Sequence, residues 1–191
     1  MLLGQTMSGC LDLKQPPVTI AYYTLEYTAP EIKDSPALPV VLRIAPIRAA
    51  TPYRSTQMVV RSAPFKRDAF IYHRWHTDPG NMITENLIND LKQSALFQAV
   101  LPVDSYHSGK YLLEGTVDEF YVQEESGSWQ AVLSLTLTLM ATTEGTIVWQ
   151  QQVRASGPCL SKTPQGIAQA MSTAMQTLSA EIITTLYEHL R

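Results

Sequence analysis

Residues 131–139 read Ala-Val-Leu-Ser-Leu-Thr-Leu-Thr-Leu. Leu133, Leu135, Leu137 and Leu139 alternate with Ser134, Thr136 and Thr138, which is the period of a β-strand with one covered face and one open face. A strand so patterned needs a cover for its leucines. The last part of the chain supplies one. From about Gln165 to Leu190, Ile167, Ala170, Met171, Ala174, Leu178, Ile182 and Leu186 fall on one helical stripe. The opposite side of that helix is mostly Gln, Ser and Thr.

The rest of the pattern fits the same layers. Tyr111–Val122 is strand-like, and Glu125-Ser126-Gly127-Ser128 joins it to 131–139 as a hairpin. Glu144-Gly145 makes a second turn, and Thr146–Val153 a third strand. Residues 156–164, with Pro158 and Pro164, read as a loop. Upstream, Ile20–Tyr27, Pro39–Pro46, Gln57–Arg61 and Ala69–Tyr72 read as strands. Asp78-Pro79 begins a helix, because Asp caps free backbone N–H groups and Pro suits the first helical position. Ile83, Leu87, Leu91 and Ala95 give that helix an apolar face, and 96–100 follows as a strand. The expected fold is α/β of the α+β kind: a single mixed, mostly antiparallel sheet with two long helices packed on one face.

Composition excludes several functions. Charged residues make up 16% of the chain, against roughly 25% in ordinary soluble domains. The surface is therefore rich in uncharged polar groups that are easily desolvated, which suits protein contacts and leaves self-association open as a homo-oligomer. Net charge is −3 with no basic run, so no nucleic acid partner is expected. Chemistry is equally thinly supported. His73, His76 and Asp78 could be drawn as metal ligands, but they straddle a strand end and a helix cap, and no metal or other cofactor is expected. Glu114, Asp118 and Glu119 lie on one strand, where Glu114 and Asp118 share a face as any solvated pair would. No serine sits in a nucleophile elbow. The expectation is a protein that is not an enzyme.

Met7-Ser8-Gly9-Cys10 resembles a bacterial lipobox, in which small residues enter a peptidase cleft and the thiol accepts a diacylglycerol. On this reading residues 1–9 are a residual signal peptide, although none of them is basic. Cys10 is the lipidation site, and 10–19 form a tether stiffened by Pro16-Pro17. Several acyl chains on one cysteine anchor firmly, at about 0.8 kcal/mol for each buried CH2. Leu11, rather than aspartate, follows the cysteine, which favours the outer membrane in Gram-negative sorting.

Residues 20–191 resemble the ABC-type transport auxiliary lipoproteins, whose best-known branch works with MCE-type lipid transport systems. The resemblance rests on Tyr22-Tyr23-Thr24-Leu25, on Tyr53, Arg54, Gln57, Val59 and Arg61, on Arg74-Trp75 before the first helix, on Leu96-Phe97, and on Leu113-Glu114-Gly115 with Phe120. It implies a non-catalytic, periplasm-facing accessory subunit that accompanies a permease, an ATPase and an MCE-domain protein. Tyr53, Arg54 and Trp75 are the candidate exposed contact residues, with core or loop packing as the alternative for each. The alternative is a structural envelope lipoprotein, or a lipid carrier with an apolar cavity between sheet and helices.

Overall fold

The computed structural model describes residues 19–33 and 35–191. Cys10, and the tether up to Val18, lie outside the described residues. The strands are β1 (Ala21–Tyr23), β2 (Leu38–Ile44), β3 (Arg48–Ala49), β4 (Gln57–Ala63), β5 (Lys66–Trp75), β6 (Phe97–Pro102), β7 (Tyr111–Glu125), β8 (Ser128–Ala141) and β9 (Thr146–Cys159). The helices are α1 (Pro79–Gln93) and α2 (Pro164–Leu190).

All nine strands form one sheet organised around β7. At roughly 3.3 Å per residue, its 15 residues span about 50 Å. One edge of β7 carries β8, and β9 lies beyond it, both antiparallel. The other edge is shared in succession by β2, β3 and β4, all parallel to β7. β6 flanks β2, and β5 then β1 flank β4. The sheet is thus mixed, and its long ladders are those of the antiparallel meander.

Strand parity decides what is covered. Leu113, Val117, Phe120 and Val122 of β7, with Leu133, Leu135, Leu137 and Leu139 of β8, face the helices and are buried. Both helices lie on this side and touch each other. α1 starts where Asp78-Pro79 predicts: the Asp78 carboxyl accepts from the backbone N–H of Gly80 (3.0 Å) and Asn81 (3.3 Å). Thr163 caps α2 through the N–H of Gly166 (3.1 Å).

Three expectations are corrected. Of the segment Ile20–Tyr27, only Ala21–Tyr23 pairs with a strand. The chain then leaves the sheet and crosses the helices, where Glu26 N–H donates to Ser172 Oγ (3.0 Å) and Gln176 donates to the Thr28 carbonyl (2.8 Å). Tyr27 donates to the buried Asp90 carboxyl (2.6 Å), which also accepts from Ser179 (2.6 Å). The two-residue β3 falls in a stretch without strand signal. β9 continues through Cys159, so 156–159 are not loop. β9 is an edge strand, where a proline leaves no central ladder broken, and Gly157 has a packing reason to lack a side chain. A Cβ there would sit 2.3 Å from the carbonyl oxygen of Ala170 on α2. The glycine lets helix and strand approach.

Candidate contact surface

Among the described residues, one continuous cluster of buried apolar side chains packs the layer between sheet and helices. The gap bounded by Val59, Trp75, Phe120, Val122, Ile167 and Met171 has no room for a water molecule. Trp75 is 1% exposed and meets Phe120 edge to face at 5.3 Å. Its expected role as an exposed contact is therefore corrected: it sits at the end of β5, on the parity that points toward the helices.

The sheet face away from the helices carries the polar groups of the meander. Thr136 and Gln152 donate to Asp118 (2.6 and 3.1 Å). Arg154 Nε donates to Glu119 (2.9 Å), whose other oxygen accepts from Tyr121 (3.1 Å). Tyr53 stacks on Tyr121 with centroids 6.2 Å apart, and is 4% exposed. Burial pushes the Tyr53 phenol above its usual range, which Arg67 partly offsets. Tyr53 is thus also removed from the exposed set. Its position could not be read from sequence, because it precedes β4 on a short 3-10 turn, Thr51–Tyr53, that folds back over β7.

Arg54 alone of the three is exposed. Its Nε donates to the Ala49 carbonyl at 3.0 Å, which fixes the stem of the side chain. A short register away, Arg48, Glu114, Thr116, Thr138 and Gln150 line an open polar hollow of about 470 Å³. Glu114 and Asp118 do share this face, as expected, but Asp118 is occupied by its neighbours.

The histidines do not converge. His73 Nδ1 lies 2.9 Å from the Tyr23 hydroxyl, His76 sits edge-on to Tyr22 at 6.4 Å, and Asp78 caps α1. Among the described residues no group of three His, Cys, Asp or Glu side chains could hold a metal ion. No described helix is long and apolar enough to cross a membrane. Cys159 is half-buried, and desolvation pushes its thiol up.

A filled two-layer domain with mutually paired polar groups is equipped to bind through its surface. The chain belongs to the family of ABC-type transport auxiliary lipoprotein components, whose model matches residues 23–183. That membership assigns it to the lipoproteins of the cell envelope and associates it with an ABC transporter. Among solved structures, a protein from Xanthomonas campestris is similar at 17% identity, with a TM-score of 0.82 over 88% of this chain and 95% of that one. An uncharacterized protein is similar at 14% identity, with a TM-score of 0.70 over 88% and 99%. The PelC dodecamer from Paraburkholderia phytofirmans shares the fold more loosely, at 17% identity and a TM-score of 0.52 over 81% and 91%. No curated protein matches this chain.

Proposed function

We propose that this chain is a non-catalytic, periplasm-facing subunit of an ABC/MCE-type system that moves lipids or other hydrophobic molecules across the cell envelope. Cys10 anchors it, in the outer membrane. The observation that carries this reading is a transport-auxiliary family match over a domain whose interlayer space is filled. The gap around Trp75, Phe120 and Met171 offers cargo no room among the described residues, which supports a contribution to transport made by contact. This weighs against the independent lipid carrier, which needs that cavity. Arg54 is the contact residue that the geometry leaves available, with the polar hollow beside β3 next to it. The β9 edge, which pairs only with β8 among the described strands, is a second place for association, including with further copies of the chain.

A photo-crosslinking residue at position 54, introduced in cells that carry the native envelope machinery, tests the reading. The expected product is an adduct with an MCE-domain protein or the permease. An adduct with peptidoglycan-binding or outer-membrane assembly proteins, and none with a transporter component, would favour the structural envelope lipoprotein instead.

A further inference from the structure

Two wholly apolar side chains, Phe65 and Leu160, stand almost fully exposed at one rim of the sheet, more so than Ile71 or Ile147 elsewhere on it. Phe65, at the tip of the β4–β5 hairpin, is 101% exposed, and Leu160, directly after β9, is 91% exposed. The registers set them on a common level. Val60 pairs with Val122, Glu125 with Ser128, and Trp129 with Cys159. The ends of β4, β7, β8 and β9 therefore lie side by side. Three strand spacings of about 4.8 Å put Phe65 and Leu160 roughly 15 Å apart on that rim. The Ser126-Gly127 turn projects between them.

Folding gives no reason for either residue. Phe65 adopts a left-handed backbone at φ 63°, where glycine or asparagine is the unstrained choice, and its ring covers nothing. Leu160 likewise touches open solvent. A residue that breaks a local rule without a folding gain is a candidate for function.

The path of the chain indicates what covers this rim. β1 runs parallel to β5, with Ala21 opposite His73. The start of β1 therefore points back along β5 toward Lys66 and Phe65. From the level of His73 to that of Lys66 is roughly 23 Å at about 3.3 Å per residue. Cys10 and Ile20 are ten Cα–Cα steps apart in the chain, which can reach up to about 35 Å. An anchor at Cys10 can thus lie in the plane that Phe65 and Leu160 reach. We infer that this rim is a membrane-seating edge: Phe65 and Leu160 enter the interfacial layer of a lipid bilayer and hold the sheet upright over it. The inference rests, for the direction of approach, on the anchored reading of Cys10.

Charge on the rim sets the kind of surface. Lys66, Arg67 and Lys162 stand beside Asp68, Glu124 and Glu125. Lys66 pairs with Asp68 at 3.0 Å, and Lys162 with Glu124 at 2.9 Å. The balance leaves little net attraction for anionic lipid, so apolar insertion is the driving term, and binding should change little with salt. Trp129, with Lys162 5.7 Å from its ring centroid, borders an open hollow of about 210 Å³ behind this rim, lined also by Val60 and Phe70. Such pairing of a ring with a cation suits the headgroup level.

The full chain carrying Cys10→Ser, mixed with phosphatidylethanolamine and phosphatidylglycerol vesicles that contain brominated acyl chains, tests the rim without the anchor. Phe65→Trp should add emission, taken as the difference from the parent with its Trp75, Trp129 and Trp149, that the vesicles quench at least twofold. The emission that Tyr106→Trp adds over the parent, at the far end of β7 on a fully exposed loop side chain, should not be quenched. The double change Phe65→Ser and Leu160→Ser should lower vesicle partition at least tenfold at unchanged thermal midpoint. Equal quenching at both positions, or none at position 65, would overturn the inference. So would a response at 65 that arises only when transporter components are added, since the rim would then be a protein contact. The mass of the N-terminal peptide from native membranes reports acylation separately. Its absence would sink the anchored reading and leave the quenching result to stand on its own.

Discussion

Replacing Trp75 with alanine is expected to destabilise the domain by about 3–5 kcal/mol, the range for removing a buried aromatic side chain. The indole is 1% exposed and packs edge to face on Phe120. The surrounding layer is already tight, so it can collapse only partly into the space left behind. Urea titration should show a large drop in midpoint with an unchanged slope. Trp75→Phe should fall between the two, because it keeps an aromatic partner for Phe120. If Trp75 worked instead as a surface contact, the alanine variant would stay within about 0.5 kcal/mol of the parent, and only partner binding would suffer. A change below about 1 kcal/mol would contradict the packing described above.

The second large effect is expected at Asp90. This side chain is 2% exposed and accepts from Tyr27 and Ser179, each at 2.6 Å. It ties the crossing segment after β1, helix α1 and helix α2 to one point. Asp90→Ala leaves two hydroxyls short of an acceptor, at about 1–3 kcal/mol for each buried unsatisfied group; because Tyr27 is only part-buried its share lies at the low end, so a loss of about 2–4 kcal/mol is expected. Removing all three polar partners together, as Asp90→Leu with Tyr27→Phe and Ser179→Ala, should recover much of that loss, because an apolar replacement leaves nothing unsatisfied. A triple variant no more stable than Asp90→Ala would contradict the network. The same site predicts an alkaline limb. Burial first, then the hydrogen bond and negative charge of Asp90, raise the Tyr27 phenol well above its ordinary value of 10.0. A group raised in the folded state contributes stability that is full below the unfolded value and declines as pH climbs past it. Stability should therefore fall above about pH 10, and Tyr27→Phe should flatten that fall.

Much of the architecture was legible because it is written in short-range periodicity. The alternation at 131–139 reports which face of β8 is covered, and Asp78-Pro79 reports where α1 begins, since cap chemistry is local. The Glu125–Ser128 turn was legible for the same reason: Ser126 and Gly127 both adopt positive φ, at 48° and 81°, as a tight hairpin requires. What depends on neighbours distant in sequence was not legible. Gly157-Pro158 reads as a loop until β9 is known to be an edge strand with α2 lying against Gly157. Trp75 and Tyr53 were expected at the surface from the family resemblance alone, with core packing as the alternative, and no local periodicity decides between the two. Their burial follows from β5 parity in one case and from a turn folded over Tyr121 in the other. Arg54 kept its exposed place because its bond to Ala49 is local to the same turn. Phe65 and Leu160 carried no signal at all in sequence, since an exposed apolar side chain is recognised only once the fold leaves it uncovered.

On the function proposed above, the domain serves transport by contact, at the membrane, without chemistry of its own. Affinity isolation of the tagged chain from detergent-solubilised native membranes, followed by identification of what accompanies it, tests that claim most directly. The predicted result is co-purification of an MCE-domain protein with an ABC permease and ATPase, at reduced yield when Arg54 is changed to glutamate. Recovery of the chain with no transporter component, under conditions that keep other envelope complexes intact, would contradict it.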